Sequence, residues 1–599
     1  LIIANLSQFF RLLKTQRPPE QMTQTETEKA NCGNEKVQET SAKAKGTLQP
    51  SMKKGQFDFH SVCEMNRAPS LTVSEVDIEA VDDEIKSGHL SIFSRKMFGL
   101  AVGAFLSGFL IAILMGTAYG FYLGYLGLDA YVLAAIGSIS RLPEIFLLPF
   151  GCISDAVPIC GSRRKSYLII GWLITAGALL VMSLHPLPDP YFCQGLDGSY
   201  DYMVPPCNPA AHDQKIWYVV PGFFLSLGLN LAGVAGEGLV IEYSQLESLE
   251  RRGHLKAELT MVGTAGSLLA SLFVGCCMNG KAYLGTFDWT LEYNQVMLVA
   301  FVLVLIEIPL TAFLVYEPPL KERPSFRAHM RASWQLVQSK AFVAIIMFAF
   351  GTHFMVTIAT TAAPMVRSQW AGVKVLQQQL CGMISTFTLL ISVWFFKVYC
   401  LQVSWRKIFY IACIASVMLD AVPAYLTIFN VVRNQYFFLG EEILSSMPMA
   451  AIKLVSGLLV IEMAEPGSEG LCTGLLGTIY NASTPFGTAI SNQIFALFTP
   501  NLYDVANYVE DTPAFRKTVA WSYAVTYATT MSGFFLIRLI PSQKKEALRR
   551  KKEWGRRRCY GVLVLVIPTL CFTYAITVLV MANIPEMACM KIIGGQGCV

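Results

Sequence analysis

Charged residues are scarce in this sequence. Asp, Glu, Lys and Arg make up only 15% of its 599 residues, whereas soluble globular domains carry about 25%. Hydrophobic residues account for 53%. Because apolar stretches of membrane-spanning length recur along the chain, we expect most of this apolar surface to face lipid.

Sequence patterns for bound metals, dinucleotides and phosphates are also missing. No Cys and His spacing suggests a metal site, and no glycine motif of the dinucleotide- or phosphate-binding type occurs. We therefore expect no metal, no cofactor and no direct coupling to nucleotide hydrolysis. The chain is predicted not to be an enzyme and to have no nucleic-acid partner.

About thirteen apolar runs are present, each long enough to cross a hydrocarbon core of about 30 Å as a helix. Helices are expected because backbone amides in lipid must be satisfied within the segment, and the runs lack the alternation of barrel strands. Numbered in chain order as segments 1 to 13, they lie near 97–122, 130–155, 167–184, 216–242, 259–278, 294–316, 341–361, 379–399, 407–428, 435–463, 471–497, 518–539 and 560–581.

The basic residues of the loops predict the orientation of these segments. With a cytoplasmic N-terminus, most loop Lys and Arg fall on the cytoplasmic side, including the stretch "KKEALRRKKEWGRRR" at 544–558. This asymmetry follows the positive-inside rule. We expect a multi-pass protein of the plasma membrane, with the N-terminus cytoplasmic and the C-terminus outside.

The loop between segments 2 and 3, "GCISDAVPICGSRRKSY", is unusually rich in charge. One interpretation is a solvated loop whose cations stay in water. Another is a gating loop, because a carboxylate at a helix end can form a charge-assisted clasp with a nearby arginine pair. The gating residues would be Gly151, Asp155, Gly161, Arg163, Arg164 and Lys165, with Glu242 of segment 4 as a partner for Arg163 or Arg251.

Three stretches carry a resemblance to a known family: the loop above, "GEGLVIEYSQLESLERRGHL" at 236–255, and "EPGSEGLCTGLLGTIYN" at 465–481. Over roughly residues 85–540 the chain resembles the folate-biopterin transporter family of the major facilitator superfamily. The Pro-Gly-x-Glu-Gly segment that enters helix 11 in this family corresponds to Pro466, Gly467, Glu469 and Gly470.

The resemblance implies both a fold and a function. The expected fold is an all-α, multi-pass major facilitator fold, with two six-helix bundles and an extra C-terminal transmembrane helix. The expected function is secondary active transport by alternating access. The partners it implies are a small folate- or pterin-like organic anion, protons and membrane lipid.

Departures from the family pattern leave the substrate open. The family has two Asp in helix 4 where Gly233 and Glu237 stand, a Lys in helix 2 where Leu147 stands, and an Arg in helix 5 where Gly263 stands. Charged cavity residues recognise an anionic pterin or folate, so a sugar or a nucleoside remains an alternative substrate. A non-transporting receptor or scaffold is the alternative from another functional class.

A short repeat supports two equivalent halves. The tetrapeptide LVIE occurs at 239–242 and again at 459–462, near the ends of segments 4 and 10. The predicted organisation is a disordered cytoplasmic tail at 1–85, an N-terminal six-helix bundle at 86–316, a cytoplasmic linker at 317–340, a C-terminal six-helix bundle at 341–540, a basic cytoplasmic segment at 541–558, and an extra transmembrane helix with an outside tail at 559–599.

Ionisable side chains within the segments are the candidates for substrate binding or proton coupling, because a charge at the bilayer centre costs about 2.5–3.5 kcal/mol or more. They are Glu237, Arg141, Glu144, Glu442, Lys453 and His353. In the superfamily, helices 1, 4, 7 and 10 line the central cavity, which would bring Glu237, His353 and the stripe of Glu442 and Lys453 to one space.

Each candidate has a structural alternative. Arg141 and Glu144 lie three residues apart and can neutralise each other on one helix face. Glu237 stands between two glycines and can carry a proton or pair with a gate residue. Lys453 can attract an anion or pair internally, and His353 can be a hydrogen-bonded helix histidine rather than a proton relay.

Two pairs of cysteines fall in loops predicted to lie outside. Cys193 and Cys207 lie between segments 3 and 4, and Cys589 and Cys598 lie in the C-terminal tail. Disulfides form in oxidising compartments, so each pair is a candidate disulfide.

Overall fold

The computed structural model describes residues 92–582 apart from short gaps at 95–96, 129, 196–199, 202–203, 318–325, 374, 466 and 503, together with residue 590. These residues belong to one compact unit, Cys63–Val599. The predicted tail at 1–85, Pro466 of the helix 11 motif, and the cysteine pair Cys589 and Cys598 lie outside the described residues.

Ten helices in the described part of the chain are long and apolar enough to cross a membrane. They correspond to segments 1, 3 to 10 and 13, and in that order they are Phe98–Tyr125, Lys165–Leu184, Pro209–Leu246, His254–Cys277, Tyr293–Leu314, Lys340–Thr357, Leu380–Tyr399, Trp405–Ile428, Gln435–Met463 and Arg558–Val578. The prediction of an all-α, multi-pass membrane protein is confirmed.

The other three predicted segments are also helical, but they are interrupted or more polar. Segment 2 consists of Ala130–Arg141, a 3₁₀ turn Leu142–Phe146, and Leu147–Ala156; segment 11 is Glu469–Phe495; segment 12 is Pro513–Ser532 followed by the 3₁₀ turn Gly533–Leu539. The sequence predicted one continuous helix for segment 2. Pro143 explains the break, because its ring removes an N–H donor and disfavours the preceding α-helical turn.

Short elements connect the segments. A hairpin pairs Cys193–Gln194 with Tyr200–Asp201, and segment 1 ends in a π-helix, Tyr119–Tyr125. The remaining short helices are Pro209–Lys215, Lys281–Tyr283, Ala363–Met365, Val366–Trp370 and Val505–Glu510. Two further helices matter below: the linker helix, Phe326–Val337, and the basic helix, Lys544–Glu553.

The helices pack as two sets of six, with segment 13 added. In the first half, segment 1 packs against segments 5 and 6, and segment 3 packs against segments 4 and 6. In the second half, segment 10 packs against segments 8 and 9, and segment 7 packs against segments 11 and 12. One hydrophobic cluster is built from residues between Met97 and Val315, and another from residues mostly between Leu336 and Val564.

The two halves meet where segment 2 packs on segment 11 and where segment 5 packs on segment 8. Segments 2 and 11 touch through their backbones. A Cβ added at Gly151 would lie 2.1 Å from the carbonyl oxygen of Gly470, and one added at Gly474 would lie 2.3 Å from the carbonyl oxygen of Leu147. Glycine is therefore required at these positions for the halves to approach this closely.

We expect Gly151→Ala to destabilise the protein by about 1–3 kcal/mol, because the added methyl overpacks a backbone contact. Gly137→Ala is the matched control on the same segment, since a Cβ there meets nothing within 4 Å. The control should be neutral or stabilising by up to about 1 kcal/mol through helix propensity. Thermal unfolding in detergent compares the two; equal melting temperatures would contradict the proposed close contact.

One end of the helical array carries residues 156–165, 247–254, 464–465 and 467–469, and we call it the basic end. At the opposite end the disulfide Cys193–Cys207 is present, as expected.

The same end of the second half also has a cluster of ion pairs around Asp511, which we call the ionic clasp. Asp511 accepts hydrogen bonds from Arg433 at 2.8 and 3.0 Å and from Arg516 at 2.8 and 2.6 Å. Burial opposes ionisation, but the hydrogen bonds from Arg516 and Arg433 outweigh it and lower the pKa of Asp511 to about 2.

Because the folded-state pKa lies below the unfolded value, the clasp stabilises the fold above about pH 4 and loses its contribution as the pH falls toward about 2. Asp511→Asn should therefore lower the melting temperature near neutral pH, and the difference from wild type should shrink in acid. Asn also tolerates the left-handed backbone at this position, where φ is 54°. Melting curves across this range check the prediction, and a difference that does not change with pH would refute it.

Candidate functional site

The side chain of Arg164 lies at the centre of the basic end and is 0% exposed. Its Nη2 donates to Asp155 Oδ1 at 2.9 Å and to Glu469 Oε2. Its Nη1 donates to Glu242 Oε2 at 2.5 Å and to the carbonyl oxygen of Gly238 at 3.0 Å. One guanidinium therefore joins segments 2, 4 and 11, and it joins the first half to the second.

The start of segment 11 contributes backbone donors to the same centre. The N–H of Leu471 donates to Asp155 Oδ2 at 2.8 Å, and the N–H of Gly467 donates to Glu469 Oε1 at 2.9 Å. A helix N-terminus favours nearby carboxylates because its first amides lack partners within the helix. Asp155 and Glu469 thus each accept hydrogen bonds from Arg164 and from a backbone N–H near the start of segment 11.

A fourth carboxylate, that of Glu317, orients the loop that carries the arginines. Glu317 accepts hydrogen bonds from the backbone N–H groups of Arg163, Arg164 and Lys165 at 3.0, 2.9 and 3.0 Å. It therefore occupies the N-terminus of the segment 3 helix. Sequence reasoning did not single out Glu317, because it follows segment 6 and is far from this loop in the chain.

The gating loop is therefore partly buried rather than a wholly solvated turn. Arg163 Nη2 forms an ion pair with Glu242 at 2.8 Å. The sequence predicted that Glu242 would pair with either Arg163 or Arg251, and the structure shows the pair with Arg163. Gly161 has a φ of +82°, a left-handed conformation that favours glycine, and it lies in the turn before the arginines. The residues are close together, but their role as a gate stays a prediction.

A second ion pair crosses between the halves at the same end. Arg252, in the loop after segment 4, donates to Glu462 of segment 10 at 3.0 Å. Gln245 donates to the carbonyl oxygens of Ile461 and Ala464 at 2.9 and 3.0 Å. The two LVIE repeats thus end in equivalent carboxylates, Glu242 and Glu462, and both take part in ion pairs with arginines.

The basic helix contacts both halves at this end. Lys544 donates to the carbonyl oxygen of Leu249 in the first half at 3.2 Å, and Lys551 donates to that of Ala464 in the second half at 2.7 Å. Burial lowers the pKa of Lys544. Nearby Glu247 accepts hydrogen bonds from two backbone amides, but burial outweighs them and raises its pKa to about 7.

Deeper in the bundle, three charged side chains form what we call the charged cluster: Glu237 of segment 4, Lys256 of segment 5 and Lys453 of segment 10. Lys256 forms an ion pair with Glu237, whose side chain is 41% exposed. A Cβ added at Gly457 would lie 3.3 Å from Cε of Lys256, so the lysine chain packs on segment 10. Lys453 interacts electrostatically with both other members.

The position of the charged cluster relative to the ion pairs follows from helix geometry. Glu237 precedes Glu242 by five residues, about 7.5 Å along the helix, and Lys453 precedes Glu462 by nine residues, about 13.5 Å. The cluster therefore lies deeper between the halves than the ion pairs of the basic end. Sequence reasoning found two of its members and missed Lys256, which it assigned to a loop.

The other predicted site residues do not join this cluster. Arg141 is exposed and ends the first helical part of segment 2, whereas Glu144 is half-buried and lies within the 3₁₀ turn that follows. His353 Nδ1 lies 2.6 Å from Ser483 Oγ, which agrees with the alternative of a hydrogen-bonded histidine. Among the described residues, no hydrogen-bond partner reaches the buried Oε2 of Glu442.

Two of the departures from the family pattern have packing roles. Leu147 lies in segment 2, and its side chain packs on segment 11, where a Cβ added at Gly477 would lie 2.9 Å from its Cδ1. Gly263 lies against segment 1, and a Cβ there would lie 3.2 Å from the carbonyl oxygen of Ala104. A long charged side chain at either position would have to leave these contacts.

We expect Arg164→Ala to destabilise the protein by about 3 kcal/mol or more, because it leaves carboxylates buried without their cation. The buried thiol of Cys472, beside the same contacts, should become reactive toward a maleimide, as measured by peptide mapping. Arg549→Ala is the control, since its ion pair with Glu553 is exposed and should contribute little. An unreactive Cys472 with an unchanged melting temperature would rule out this role of Arg164.

Comparison with known proteins adds independent information. The BT1 family model matches residues 107–189. The folate-biopterin transporter of Synechocystis sp. (strain PCC 6803) is 24% identical over 228 residues, which is 38% of this chain and 39% of that protein. The match therefore spans well under half the length of this relative.

Among solved structures, the proton:xylose symporter XylE bound to 6-bromo-6-deoxy-D-glucose aligns with a TM-score of 0.52 and 13% identity, covering 78% of this chain and 99% of that one. At this identity the likeness shows the fold alone. These relatives are transporters rather than enzymes. The chain is thus an integral membrane protein with the major facilitator fold, and its resemblance to the folate-biopterin transporter family is confirmed.

Proposed function

We propose that this chain is a secondary active transporter that carries a small organic anion by alternating access between its two halves. The observation that carries the proposal is the charged cluster, which lies between the halves behind ion pairs that join them. Charges are costly in a membrane protein unless they face a partner or an aqueous space. A partly exposed Glu237 beside two lysines fits the wall of such a space.

The conformation fits one state of the transport cycle. The ion pairs of Arg164 with Glu469 and of Arg252 with Glu462 join the halves at the basic end. Opening this end requires both to break. We infer that the substrate enters from the opposite end in this conformation. With the predicted topology the basic end is cytoplasmic, and the conformation is outward-facing.

The charge of the cluster favours an anion. Two lysines and one glutamate leave a net positive charge, and lysine ammonium groups attract carboxylates. The curated relative is named a folate-biopterin transporter, so a folate- or pterin-like anion is the leading substrate class. A sugar or nucleoside is the second candidate, because Gly233 and Gly263 replace charged residues of the family pattern.

Glu237 offers a route to proton coupling. In the structure, its carboxylate holds the ammonium of Lys256. Protonation of Glu237 would cancel this attraction and leave Lys256 free to bind the carboxylate of a substrate. Proton and anion binding would then be mutually favourable, which is the thermodynamic condition for symport. The predicted location is the plasma membrane, with the N-terminus cytoplasmic and the C-terminus outside.

Uptake of labelled folate and biopterin into proteoliposomes with an alkaline interior tests the proposal. Wild type should accumulate one of them. In Glu237→Gln the stimulation of uptake by the pH gradient should be about tenfold smaller, which is the size of a typical coupling between two sites. Glu250→Gln is the matched control, because this glutamate is exposed and, within the part of the chain that the structure describes, only its backbone carbonyl forms a hydrogen bond, with Gln402. Its uptake should equal that of wild type.

The same assay separates the alternatives. Competition by an excess of a sugar or nucleoside, with none by folate, would replace the proposed substrate class. Ligand binding without accumulation of any solute would favour a receptor. Equal pH stimulation in wild type and Glu237→Gln would contradict the coupling role of Glu237 while leaving transport intact.

A further inference from the structure

The linker helix, Phe326–Val337, exposes an apolar stripe. Phe326, Met330 and Trp334 recur every four residues on one helix face, and their exposed fractions are 54%, 39% and 38%. Leu336 and Val337, at the end of the same helix, are buried and hold it against the protein. A short helix with an uncovered apolar stripe fits the plane of a membrane interface better than water.

Cations lie on the basic helix, whose C-terminal end comes close to the C-terminal end of the linker helix through the hydrogen bond from Arg557 N–H to the carbonyl oxygen of Gln338. Its inward face consists of Lys544, Ala547 and Lys551, which fasten it to the protein. Its outward face consists of the exposed side chains Lys545, Arg549 and Lys552, spaced at one and two helical turns. The helix therefore presents a row of positive charge away from the protein.

These outward cations have weak internal partners or none. Arg549 has a long, exposed ion pair with Glu553 at 3.7 Å. In the described part of the chain, no salt bridge reaches Lys545 or Lys552. Cations that stabilised the fold would be paired or buried, so this row is available for an external anion.

Both helices are fixed at the point where segment 13 begins. The N–H of Lys340 donates to the carbonyl oxygen of Gly555 at 3.2 Å, and the N–H of Arg557 donates to that of Gln338 at 3.1 Å. A Cβ added at Gly561 would lie 3.0 Å from the ring of Trp334. Segment 13 enters the hydrocarbon core from here, so the adjoining ends of both helices lie near the level of the lipid headgroups.

We propose that the stripe Phe326, Met330 and Trp334 and the row Lys545, Arg549 and Lys552 form a docking surface for anionic phospholipid of the surrounding bilayer. The cations bind the headgroup phosphate and carboxylate, and the stripe inserts among the upper acyl chains. The apolar stripe favours lipid over a soluble anion. A cluster of lysine and arginine beside a transmembrane helix is the usual signature of anionic-lipid recognition. The surface is separate from the charged cluster and does not depend on transport.

The test reconstitutes the full chain in mixed phosphatidylserine and phosphatidylcholine, extracts it gently and measures the ratio of the two lipids retained. In a triple variant with Lys545→Gln, Arg549→Gln and Lys552→Gln, the enrichment in phosphatidylserine should be several-fold lower than in wild type. The wild-type enrichment should fall with added salt. The control Arg251→Gln, Lys407→Gln, Lys517→Gln removes the same charge from exposed sites elsewhere. It should retain the enrichment.

A second variant tests the apolar part. Phe326→Ser with Met330→Ser changes only exposed positions and should reduce the total phospholipid retained at high salt, without lowering the melting temperature. Equal loss in the two charge variants would overturn the proposal, because net charge alone would then explain binding. Displacement of phosphatidylserine by millimolar inorganic phosphate would also overturn it, since the surface would then bind free anions.

Discussion

The buried guanidinium of Arg164 is the constraint on which the basic end depends. It contacts carboxylates from segments 2, 4 and 11, and each of these charges would be strongly unfavourable if it were buried alone. The groups are stable only together, so three helix ends must meet at one point. Glu317 orients the loop that carries Arg164, because its carboxylate accepts a hydrogen bond from the backbone N–H of Arg164. Local chemistry in a short loop thus fixes how the two halves meet.

Closure of the basic end by ion pairs suits the alternating access that we propose. A well-packed apolar seal would expose hydrocarbon to water whenever the halves separated, at about 25 cal/mol per Å². Buried ion pairs differ, because the desolvation that opposes their formation is recovered when water returns. The net difference between closed and open is therefore small compared with the individual interactions. The backbone contacts at Gly151 and Gly474 determine how closely segments 2 and 11 approach. The ion pairs of Arg164 and Glu462 close the basic end by interactions that can break and form again.

Much of this arrangement could be predicted from the sequence, because isolated charges stand out in apolar surroundings. Asp155, Arg164 and Glu242 were identified this way, and the thirteen runs gave the helices. Partners that lie far away in the chain were missed. Glu317 carries no local sign that it will cap another helix, and Lys256 was assigned to a loop because the helix of segment 5 begins at His254 rather than near 259. The break in segment 2 depends on Pro143, whose effect inside a long apolar run cannot be separated from a tolerated kink.

The same residues bear on how far the family pattern extends to this chain. The positive charge that the family carries where Gly263 stands is missing, and Gly263 packs against segment 1 instead. Lys256 lies seven residues earlier, two turns of the same helix and nearly the same face. Segment 5 therefore still presents a cation between the halves, but nearer the basic end and paired with Glu237. The departures from the family pattern thus accompany a positive charge that is displaced along segment 5 rather than absent from it.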